Sequence, residues 1–451
     1  MPYSTTAPAP VRPSSPSHHE LRDHLESLAR VHRVPGAQLA VHTGTHLLSV
    51  QTGTADALTN TPFTAGTAVP LGSVTKTATA AAVLVLADDG DLDLDEPVGE
   101  LLPDLAGEIP GVTVRHLLSH TAGLPTGPDS DSAAGTTAPR YLSAVCTAQY
   151  ALFPPGTGFS YSNAGYVAAG RILSEVTGMT WQEAVAALVL EPLGIVPAFL
   201  GDAAPARPVA GGHALNTATG LVRPAHQNLA PVEAPAGALL ASAEDLVALG
   251  RAVIGRSAAL PAAVADRMRR PEPAADPGPL ADAWGLGLAL FQQDGRVWCG
   301  HDGNAQGTSC HLRADPGSGV VVAFTGNAGA ATALWRDITA ELTRVTGIRV
   351  PAAPAAGTHR GPAAALPDCA GTYRNGGTEY TVELDGDGKP TLSVDGDRPL
   401  PLLCYPDLSC DLVDPATDRV EPGGRFHRDP VTGIIDRLQI SGRTARRTGT
   451  G

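Results

Sequence analysis

Residues 70–90 read PLGSVTKTATAAAVLVLADDG, and Lys76 in this stretch is one of only two lysines in 451 residues. The other is Lys389, in a loop near the C-terminus, and the rest of the basic charge is arginine. The spacing predicts a helix from Ser73 to about Asp88, capped by Ser73 and ended by Asp-Asp-Gly-Asp. Positions i and i+3 share one face of a helix, so the Ser73 hydroxyl and the Lys76 amine can meet. A serine hydroxyl is a weak nucleophile until a base takes its proton, and a lysine held neutral can do so. Arginine cannot lose its proton near neutral pH. A capping serine beside a solvated lysine would leave the same pattern, so the pair does not decide by itself.

Two further stretches carry chemistry-bearing residues. In FPPGTGFSYSNAGYVAAGRIL, a Pro/Gly turn precedes Tyr161-Ser162-Asn163 and a helix follows. A phenol beside an ammonium can be held as phenolate and pass a proton, and an amide two residues on can hold a substrate carbonyl. In WCGHDGNAQG, Gly300, Gly303 and Gly307 permit close backbone approach between two predicted strands. A strand edge there can bind an oxyanion. A core tyrosine, a turn asparagine and a surface histidine would be the plain alternatives.

Working outward, leucines at 21, 25 and 28 predict an N-terminal helix. Residues 36–56 read as a hairpin turning at Thr43-Gly44-Thr45. Helices are predicted near 113–119, 164–177, 180–190 and 242–255, the last with a Ser242/Asp245 capping box. Strand signals return at 284–300 and 308–326, which gives an α+β fold with an antiparallel sheet against helical layers. Residues 350–366 are Pro/Ala/Gly-rich and read as a linker. From 367 to 451, alternation between Asn-Gly-Gly and Asp-Gly turns predicts a small all-β domain. The basic end, SGRTARRTGTG, reads as a solvated flexible tail.

A net charge of −14 disfavours nucleic acid and anionic membranes as partners. Six cysteines at 146, 299, 310, 369, 404 and 410 form no CxxC pair, so neither a zinc site nor a disulfide framework is expected, although Cys299 and Cys310 flank a turn. His116 and His120 lie four apart but beside a structural turn, and the acidic loops lack EF-hand spacing, so no metal and no cofactor are expected. Residues 1–19 read as a disordered leader without a signal peptide, which predicts a cytoplasmic protein. No G-x-S-x-G elbow is present.

Taken together, Ser73-x-x-Lys76, Tyr161-x-Asn163 and His301-x-Gly303 resemble the S-x-x-K, Y-x-N and [KH]-x-G motifs of the penicillin-recognising serine enzymes, the class C β-lactamase and DD-peptidase family. The phrases VTVRHLLSHTAGLP and PAGALLASAEDL are similar to that family's landmarks, and the resemblance covers roughly residues 20–345. It implies a β-lactamase/transpeptidase-like domain over 20–349 followed by a lipocalin-like domain over 367–451. It further implies Ser73 as nucleophile, Lys76 as its activator and Tyr161 as general base and then acid. Asn163 and Gly303 would contact substrate, and the N–H groups of Ser73 and Asn304 would form the oxyanion hole. His301 stands where β-lactamases carry lysine, so it would contact a substrate carboxylate or position Tyr161, and efficient β-lactamase activity is disfavoured. Relatives with this layout include penicillin-binding-protein-type thioesterases, which take a peptide from the carrier protein of a nonribosomal synthetase and cyclise it. That is the expected activity. A D-stereospecific peptidase or esterase is the alternative, and an inactive binding or sensor module is a third reading of another class.

Overall fold

The computed structural model describes residues 16–216, 219–353, 362–415 and 418–450. An eight-stranded antiparallel sheet organises the larger part. Its centre joins the hairpin Gly36–Thr43 and Leu47–Asp56 to the C-terminal strands Thr308–Ala314 and Val320–Gly326. Alternation fixes which side chains go to which face. Leu39, Val41, Val322 and Phe324 pack against the terminal helices Pro16–Val31 and Ala331–Thr346, and Ala40, Leu312, Val321 and Ala323 face the main helical layer. Inside that layer runs Thr75–Asp89, buried on nearly all sides and ended by Gly90 in the left-handed conformation (φ 87°).

Several expectations need correction. Ser73 does not cap the helix: it lies in a one-turn 3₁₀ segment, Gly72–Val74, and no side chain caps the helix that follows. The expected helix over 180–190 is α-helical only for Trp181–Val185 and continues as a π turn over Ala186–Leu190. The strand expected over 284–300 is broken into Ala283–Trp284, Ala289–Gln293 and Arg296–Ala305. Cys299 and Cys310 are not partners, because register sets them opposite Ala314 and Gly303, and all six cysteines are free thiols. Helix already begins at Pro16, inside the expected leader, while residues 1–15 and 354–361 of the leader and linker lie outside the described residues. The Ser242/Asp245 capping box is present.

Beyond the turn Pro367–Cys369 the chain forms a closed barrel of eight antiparallel strands, filled by Tyr373, Tyr380, Leu402, Phe426, Leu438 and their neighbours. This is the small all-β module expected. The basic end is not a flexible tail. Arg443–Thr450 is the strand that closes the barrel, pairing with Gly371–Asn375 and Ile435–Ile440. The barrel also grips the larger domain: Gly442 O accepts the Tyr161 N–H (2.9 Å), and Thr444 Oγ1 donates to Phe159 O (2.7 Å). No helix among the described residues is long and apolar enough to cross a membrane.

Candidate active site

Glycines let three backbone segments converge. Gly72 has φ +53°, and a Cβ there would meet the Asn304 carbonyl oxygen at 2.3 Å. A Cβ on Gly303 would meet Leu71 O at 2.0 Å. Strand Arg296–Ala305 therefore lies directly against the turn carrying Ser73, bringing Asn304 beside the nucleophile's own backbone. Behind this strand, Asp302 accepts bonds from His311 Nδ1 (2.7 Å) and from both terminal nitrogens of Arg313 (2.7 and 2.9 Å), and His311 stacks on Trp335. Burial opposes ionisation of Asp302, yet Arg313 and His311 hold its carboxyl well below the usual range.

Lys76 is fully buried, and its Nζ donates to Ser73 Oγ (3.3 Å) and to Ala236 O (2.9 Å). It lies 5.0 Å from the centroid of Tyr161 and 5.6 Å from that of Tyr166. Burial pushes its pKa well below the ordinary lysine value, the Arg443 charge pushes the same way, and Glu233 opposes them. Burial pushes the Tyr161 phenol up, with the nearby Ser73 hydroxyl opposing in part. The Tyr161 hydroxyl has no well-formed hydrogen bond. Burial thus favours the uncharged form of both groups, the amine and the phenol.

His301 is neutral, because burial lowers its pKa to about 4. Nδ1 faces the Asp302 carbonyl at 2.6 Å, so it carries the proton, and Nε2 is a buried, unpartnered acceptor. An uncharged ring showing a lone pair is poorly suited to a carboxylate, and its centroid lies 6.2 Å from that of Tyr161 with no hydrogen bond joining the two. Asn163 begins helix Asn163–Thr177, whose cap Ser162 accepts the Gly165 N–H (3.0 Å). Of the histidine pair, His116 Nδ1 accepts the Thr113 N–H (3.2 Å) at a helix start, and His120 packs its ring 4.3 Å from that of Tyr161. Among the described residues no cluster of three potential ligands could hold a metal ion.

Two small cavities open at Ser73 and Asn304, which line both. One, about 260 Å³, is bounded by Asn163, Ser130, Gln227, Asn228 and the apolar Leu200 and Leu229. The other, about 230 Å³, is bounded by Tyr161, His301, Trp284, Leu280 and Arg443. Arg443 escaped the sequence reading. It comes from the barrel's closing strand, and its guanidinium carbon lies 5.4 Å from the Tyr161 centroid. The only available signal was a basic residue after the Ser441-Gly442 turn, which is indistinguishable in sequence from a surface strand.

Penicillin-binding protein 4 of Amycolatopsis lactamdurans is 33% identical over 376 residues, covering 80% of this chain and 98% of that one. A crystal structure of SurE superposes with a TM-score of 0.85 at 37% identity, covering 96% and 99% of the two chains, and SurE with D-Leu superposes at 0.82. A D-stereospecific amidohydrolase from Streptomyces sp. superposes at 0.56 with 27% identity, over 69% of this chain and 94% of that one. The beta-lactamase family profile matches residues 21–343, and with its serine and lysine held together on that fold the chain belongs to this family and is a serine hydrolase within it.

Proposed function

We propose that this enzyme works through a Ser73 acyl-enzyme and releases a peptide from a carrier-protein thioester by macrocyclisation. Neutral Lys76 takes the Ser73 proton as the oxygen attacks the thioester carbonyl, and the N–H groups of Ser73 and Asn304 receive the oxyanion. The thiol departs with a proton returned through Lys76 or Tyr161. The peptide's own amine then attacks the ester, Lys76 takes its proton directly or by relay through the Tyr161 hydroxyl, and that proton passes to the departing Ser73 oxygen. Arg443 favours neutral amines on that side of the site.

The observation that carries this reading is the pair of cavities meeting at Ser73. The amide-lined one suits an acyl peptide chain. The one beside Tyr161 suits an incoming nucleophile larger than water, walled by Trp284 and Leu280. Similarity to a D-stereospecific amidohydrolase and to SurE, seen with D-Leu, supports a D-configured residue at the acylating end. The test is incubation with a peptidyl thioester ending in a D-residue, followed by mass spectrometry. A macrocycle is expected. Linear acid alone would replace this reading with a D-stereospecific hydrolase, and failure of a phosphonate probe to label Ser73 would leave only a binding module.

A further inference from the structure

A buried acid outside the proposed chemistry stands behind the amide-lined cavity. Glu233 is 2% exposed and ends the turn Pro231–Glu233, just before the segment whose Ala236 carbonyl accepts Lys76. Its Oε2 accepts the hydroxyl proton of Ser130, and Ser130 lines the same cavity as Ser73 and Asn163. Nearby, Asn228 Nδ2 donates to Asp131 Oδ1 (3.2 Å), so two side-chain bonds stitch this wall together. The Tyr141 hydroxyl, buried and unpartnered, packs where a Cβ on Gly127 would stand.

Packing alone does not call for a carboxyl here, because desolvating one costs free energy that an apolar residue of equal volume avoids. What the carboxylate does is orient a hydroxyl. A serine has one donor and two acceptor sites, and the donor is taken by Glu233. Toward the cavity Ser130 can then only accept. We propose that Glu233 is a positioning residue that fixes Ser130 as the acceptor for one backbone N–H of the acyl peptide chain. This rests on the acyl-side assignment made above.

The test replaces single backbone amides of a peptidyl substrate by esters, which removes one N–H with little change of shape, and reads KM for acylation of Ser73. At one position the replacement raises KM about tenfold in the natural enzyme, the size of one lost hydrogen bond. In Ser130→Ala and in Glu233→Met that penalty shrinks below about twofold, and in Glu233→Gln, which keeps an acceptor, it returns. An equal penalty in all forms, or none at any position, overturns the proposal. If Glu233→Met does not fold, Ser130→Ala and Glu233→Gln complete the comparison. Linear product in place of a macrocycle would sink the cyclase reading and leave this measurement intact, because acylation precedes both.

Discussion

Lys76 and Arg443 are two basic groups in one small site, and only the lysine can lose its charge. That asymmetry makes the residue-scale predictions specific. Lys76→Arg keeps the reach but fixes a positive charge there and so removes the base, and kcat/KM should fall on the order of a thousandfold, within the usual range for general-base removal. Labelling of Ser73 by a phosphonate should stop with it, and retained turnover would mean that another group activates the serine. Arg443→Gln tests the coupling. Burial and the Arg443 charge both lower the Lys76 pKa. Removing the cation therefore raises it, and the acid limb of the kcat/KM profile should move to higher pH. A limb that stays put or moves down contradicts the assignment. Lys76 was legible because a lysine in an arginine-dominated chain asks for a reason. Arg443 was not, because only tertiary structure brings the barrel's last strand to Ser73.

Among the elements, strand Arg296–Ala305 does the most to build the site. Its sequence announced close approach through glycines but not what would approach. The structure supplies the partner: the backbone of Leu71–Val74, within 2.0 Å of a Cβ placed on Gly303. Leu71 O belongs to the main chain and cannot rotate away, so Gly303→Ala must push the strand off the nucleophile turn. A displacement near 1 Å costs about a hundredfold in rate. The expected result is that loss with a lowered Tm, measured against Gly386→Ala, where a Cβ meets no atom within 4 Å. An active Gly303→Ala would show that the approach of Asn304 to Ser73 is not needed. Helix positions were legible wherever caps and periodicity agreed, as at Ser242. The 3₁₀ turn at Ser73 was not, because a buried helix start held by tertiary contacts needs no capping side chain.

At the scale of the molecule, alternation between turns marked an all-β module, while the same alternation in the arginine-rich end was read as solvated polarity. Arg446 is exposed while Arg443 and Arg447 find partners in the fold, and the strand's backbone stays paired throughout, so composition misleads there. The barrel's bearing on catalysis turns on Asn375, a 2% exposed residue of strand Gly371–Asn375. Its Oδ1 accepts the Thr126 N–H (2.8 Å), and its Nδ2 donates to Thr444 O (2.7 Å) and Ser160 Oγ (3.3 Å). One amide thus ties the barrel to the chain leading into Tyr161 and to the loop that receives Asn163. Asn375→Ala leaves those buried groups unpaired, which costs about 2 kcal/mol. Circular dichroism melting should show a lower Tm for the full chain. If the barrel positions Arg443 and Tyr161, kcat falls well below what the unfolded fraction explains, measured at a temperature where the variant remains folded. A variant that loses stability but keeps full kcat when folded would make the barrel a structural appendage.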